Sequence, residues 1–81
     1  MARYSVQTRL GPEESIVRAL AYFGPGGLGL EVSDQAECCV TFRGGGGHVW
    51  ANATTEGKGT TVELETREWD IQVREFMRKI G

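Results

Sequence analysis

Histidine is almost missing from this chain: His48 is the only one. A general base needs a nucleophile or an orienting acid within reach. Cys39, Thr41 and Glu63 are conceivable neighbours across a sheet, but such a pair on an open sheet has no water-excluding cleft, so catalysis is not expected. Metal ligands are also scarce. Besides His48 there are only Cys38 and Cys39, which are adjacent, with no CxxC spacing, so a zinc site lacks its donors and no cofactor is implied. Neighbours on a strand point to opposite faces, so a disulfide between Cys38 and Cys39 is not expected.

Long apolar runs are absent as well. Nothing approaches the ~18 residues a membrane span needs, and no secretory signal is evident, so no membrane partner is expected and the expected compartment is the cytoplasm. Charge of one sign is lacking too. The net charge is −2 and the pI about 5.3, which argues against duplex nucleic acid as a partner, because phosphate neutralisation by Lys and Arg dominates that affinity. Eighty-one residues, 40% of them apolar and 25% charged, fit one domain over 1–81 with a single modest core.

Two amphipathic helices bracket the chain. Trp69, Val73, Phe76, Met77 and Ile80 form one stripe at helical spacing, with charged residues between them. Asp70–Arg74 and Glu75–Lys79 pair along its solvated side. Thr66 is the expected N-cap. The first helix starts at Pro12, which suits a first helical position, with Glu13 and Glu14 at the positive end of the dipole. Ile16, Val17, Leu20 and Phe23 are its expected buried stripe. Gly24 is its expected left-handed stop, and Pro25 prevents continuation.

The remaining segments alternate apolar and polar residues, as half-buried strands do. They cover Arg3–Leu10, Leu28–Val32, Ala36–Arg43, His48–Thr54 and Thr60–Thr66. Asp34-Gln35, Gly44–Gly47 and Glu56–Gly59 are the expected reversals. Tyr4, Val6, Leu30, Cys38, Val40, Phe42, Val49, Ala51, Val62 and Leu64 fall on one side. Arg9, Glu31, Cys39, Thr41, His48, Trp50 and Glu63 fall on the other. The expected architecture is α+β: a β-α-β-β-β-β-α order, with a five-stranded antiparallel sheet and both helices packed on one face.

This order, from Tyr4 to Ile80, resembles the TATA-binding-protein-like fold and its larger relative, the helix-grip or START-like fold of ligand-binding and cyclase-like proteins. The resemblance is one of topology and carries no shared motif. It implies a strand order of 2-3-4-5-1, with the last helix lying across the sheet. In its helix-grip form it implies a small apolar ligand between the sheet and the C-terminal helix, for which Ala51 and Ala53 leave room. The paired repeat and basic sheet face that grip DNA are not present, and no site residue carries over.

Glycine patterns supply little chemistry. Gly24 to Gly29 spells GxGxxG, but here the glycines follow a helix and precede a strand, which leaves no helix N-terminus for a phosphate. Gly57-Lys58-Gly59-Thr60 lacks the upstream glycine of a phosphate loop, because Asn52 stands there. Gly44–Gly47 holds more glycine than a two-residue turn needs. Flanked by Arg43 and His48, it could cradle an anion or receive another chain. Trp50 is the outward aromatic, and aromatics of that kind anchor interfaces. The expected interaction or ligand surface is therefore Trp50, His48, Cys39, Arg43, Gly45 and Gly46. The leading functional expectation is a small cytoplasmic binding or interaction domain, as a homodimer or with another protein. The second is a reduced helix-grip domain holding a small apolar ligand.

Overall fold

The computed structural model describes residues 2–81. Five strands and two helices follow the expected order: β1 (Ala2–Thr8), α1 (Pro12–Phe23), β2 (Glu31–Gln35), β3 (Cys39–Gly44), β4 (Gly47–Glu56), β5 (Gly59–Arg67) and α2 (Asp70–Ile80). The strands form one antiparallel sheet ordered β1-β5-β4-β3-β2, the order that the topological resemblance implies. Both helices cover one face. α1 lies mainly on β4, and α2 lies on β5 and β1. Ile16, Phe23, Phe42, Leu64, Val73 and Phe76 are among the buried side chains that fill the space between. Phe23 stands 5.4 Å from Phe42 and 5.2 Å from Phe76, centroid to centroid, and so joins sheet, α1 and α2.

α2 is held at both ends by β1. The Tyr4 hydroxyl donates to Asp70 Oδ2 at 2.6 Å, and Thr8 Oγ1 donates to the Ile80 carbonyl at 2.5 Å. The helix therefore runs along the edge strand in the same direction. Val73, Phe76 and Ile80 of its stripe are buried and Met77 is partly buried, while Trp69 precedes the helix as its N-cap residue. Thr66 does not cap α2. It stays in β5, buried, and donates to the His48 carbonyl at 2.9 Å. The corner between β5 and α2 is made by Glu68, a non-glycine residue at φ +76.

Three other expectations shift. In α1 the buried residues are Ser15, Ile16, Ala19 and Phe23, while Val17 is exposed, because the helix turns the small Ala19 toward the sheet. Gly24 is extended rather than left-handed; a side chain there would meet the Leu20 carbonyl. The second strand begins later than its apolar alternation predicts. The N–H groups of Leu28, Gly29 and Leu30 bond back to Tyr22, Gly24 and Phe23 at the end of α1. Those donors are thus unavailable to the sheet, Leu28 is exposed, and only Leu30 reaches the core. Asp34 and Gln35 pair with β3 instead of turning, past a bulge at Ser33.

Candidate functional site

The uncovered face of the sheet reads as crossing rows. Trp50 sits on β4, the middle strand, between Thr41 of β3 and Glu65 of β5. Arg3 lies beyond Glu65, and Asp34 lies beyond Thr41. The next row toward the β3–β4 turn is Arg67, His48, Arg43 and Glu31. The row on the other side is Ser5, Glu63, Asn52 and Cys39. One row is thus strongly basic at its centre and the opposite one is acidic to neutral.

Arg3, Thr41, Arg43, His48, Trp50 and Glu65 enclose a shallow depression of about 370 Å³. Arg3 binds Glu65 at 3.1 Å, and His48 Nε2 approaches Glu65 Oε2 at 3.8 Å. Glu65 therefore lies between Arg3, which it binds, and His48, which it approaches without a hydrogen bond. Trp50 is half-buried and lines this depression. Of the residues expected to form a surface, Trp50, His48 and Arg43 come together here. Arg3, Glu65 and Arg67 complete the group. Alternation alone puts Arg3 and Glu65 on this face, but only the strand register sets them beside Trp50.

Cys39 stands apart from His48. It pairs with Asn52 while His48 pairs with Arg43, roughly 13 Å along the strands at about 3.3 Å per residue. It is also bonded to Cys38 in a disulfide, which corrects the expectation of two separate thiols. The expectation assumed that both cysteines lie on a strand. Instead Cys38 is an exposed residue of the β2–β3 turn, closed by the Ala36 and Cys39 backbone bonds, and its side chain is free of the strand alternation. For the same reason Cys38 is not part of the inward face. A disulfide sulfur has no proton, so the 3.2 Å approach of Cys39 Sγ to Asn52 Oδ1 is a contact and not a donated hydrogen bond. Nothing in this geometry activates a thiolate.

The glycine tip is built for contacts within the chain. Gly45 and Gly46 are both left-handed, at φ +56 and +78, which makes the two-residue hairpin turn suited to twisted strands. The surplus glycines lie in the ladder, where Gly44 pairs with Gly47. A Cβ on Gly44 would strike Leu30, one on Gly45 would press on the Trp69 ring, and one on Gly47 would fall 2.0 Å from the Arg67 carbonyl. Trp69 Nε1–H donates to the Gly44 carbonyl at 3.0 Å. The turn is thereby pinned to the start of α2, and only its outer edge borders the Trp50 face.

Among the described residues, no group of three His, Cys, Asp or Glu side chains is placed to hold a metal ion, and no helix is long and apolar enough to cross a membrane. No family model matches the chain, and neither the curated proteins nor the solved structures return a significant match.

Proposed function

We propose that this chain is a small binding domain that engages another folded protein surface through its helix-free sheet face. The observation that carries the reading is Trp50, a half-exposed indole on the middle strand, framed by Arg3, Arg43, His48 and Glu65. Tryptophan and arginine are the residues most enriched at binding hot spots, and a central aromatic with a polar rim is the usual anatomy of a specific interface. The face is broad and shallow, which suits a protein surface better than a small molecule. The other reading, an apolar ligand beneath α2, has no observation in its favour. Val73, Phe76 and Ile80 occupy that space with 0%, 1% and 7% exposure, and Ala51 and Ala53 belong to β4, on which α1 packs.

A photo-crosslinking residue at Thr41, beside Trp50, tests the proposal in cells of the native host. The same residue at Ile71 on the exposed side of α2 serves as the control. Protein adducts at Thr41 but not at Ile71 are the expected result. Absence of adducts at Thr41 overturns the reading.

A further inference from the structure

We propose that the Cys38–Cys39 bond is a thiol–disulfide exchange site that accepts the electron pair of a positively charged thiol, such as a cysteine flanked by basic residues. The first ground is what the bond joins. A disulfide stabilises a fold by closing a loop of chain, and the gain grows with the length of that loop. This one joins consecutive residues, so it closes on a single peptide bond and ties no separate elements together. The backbone around it is held by other means. The Ala36 N–H donates to the Cys39 carbonyl and the Ala53 N–H to the Cys38 carbonyl, both at 2.8 Å. The sulfur–sulfur bond can therefore open while the β2–β3 turn stays in place.

The two sulfurs have different parts in that opening. Cys38 is exposed and Cys39 is half-buried, so an incoming thiolate reaches Cys38 Sγ. A new sulfur–sulfur bond forms there, the Cys38–Cys39 bond breaks, and its electron pair leaves with Cys39. Cys39 Sγ then takes a proton from water and donates it to Asn52 Oδ1, already 3.2 Å away. Asn52 is held in that orientation by its own Nδ2, which donates to Thr54 Oγ1 at 3.3 Å. A second thiolate attacks the sulfur of the bound thiol and releases Cys38, which is protonated in turn. Two thiols thus become one disulfide, and the chain gains two electrons and two protons. The chain is the electrophile here, so neither cysteine needs an activating base.

Charge selects the thiol. Cys38 lines a groove of about 760 Å³ between the start of α1 and β4. Among the described residues that line it, the charged ones are Glu13, Glu14 and Glu37, with no lysine or arginine. Three carboxylates repel an anionic thiol and attract a cationic one.

Rates of reduction test the selection. Cysteamine carries an ammonium group and 3-mercaptopropionate a carboxylate. Each is compared by its second-order rate per thiolate, divided by its rate on the same chain unfolded in urea. Cysteamine should be favoured at least about tenfold at low salt, and the preference should largely disappear in about 1 M salt. Replacing all three carboxylates, as Glu13→Gln, Glu14→Gln and Glu37→Gln together, should remove it as well. In a cysteamine–cystamine buffer, Asn52→Ala should shift the equilibrium toward the disulfide about threefold or more, read by mass after alkylation. A chain with Cys38→Ser and Cys39→Ser should keep the urea midpoint of the oxidised wild type. Equal rates for the two thiols, an unmoved equilibrium in Asn52→Ala, or a clearly lowered midpoint in the double serine chain would each overturn the proposal. So would a wild-type chain whose thiols both stay free in cystamine.

Discussion

At the scale of single residues, the β3–β4 hairpin is governed by two different demands on glycine. Gly46 is needed for its conformation: φ is +78, and no atom lies within 4 Å of an added Cβ. Gly47 is needed for space, since the atom in its way belongs to the Arg67 backbone and cannot swing aside. Gly46→Ala should therefore cost about 1–2 kcal/mol, the penalty of a left-handed L-residue. Gly47→Ala should cost more, about 3 kcal/mol or above, because the β4–β5 ladder itself must shift. Urea denaturation of both variants checks the order. The glycine run announces a turn in the sequence, and so it is. The two glycines beyond the turn, Gly44 and Gly47, are explained only by Leu30 and Arg67 closing in from distant parts of the chain. Cys38 makes the same point. Its neighbour Cys39 begins a strand, but Cys38 turns a corner, and that single displacement permits the bond between them.

At the scale of elements, α2 is the clamp. Its apolar stripe is anchored at its start by Tyr4–Asp70 and at its end by Thr8–Ile80. Phe76 is 1% exposed and touches both Phe23 and Tyr22, while Ile71 on the other side is 71% exposed. Phe76→Ala should cost about 3–5 kcal/mol through the cavity it leaves. Ile71→Ala should stay within about 0.5 kcal/mol of the parent. Thermal and chemical unfolding of the pair measure the difference. The helices are legible beforehand because their period is local. β2 is not, since whether Leu28–Leu30 bond to a strand or to the end of α1 depends on where β3 arrives.

At the scale of the whole molecule, the two faces of the sheet differ: both helices pack on one, and the other is uncovered. Stability comes from the covered face, where the two helices meet at Tyr22, Phe23 and Phe76. Burial there, and then the nearby Glu75, hold the Tyr22 phenol above its ordinary pKa of 10.0. The folded state thus keeps this proton longer than the unfolded chain does. The contribution is complete below pH 10.0 and is lost as pH rises through the folded value. Unfolding free energy should fall with rising pH in that range, and Tyr22→Phe should remove this part of the decline; a pH series of denaturation curves for both proteins tests it. The open face is where binding is proposed. Element order, the two helical stripes and the side of the sheet on which most residues lie can be read along the chain. Each of those follows from periods of two and 3.6 residues that neighbouring side chains express without help. Which rows cross the open face follows from the folded chain alone, because register is a relation between strands distant in the chain; folding also did more. It set Glu65 and Arg3 beside Trp50, drew Cys39 away from His48, and turned spare glycines into points of close approach.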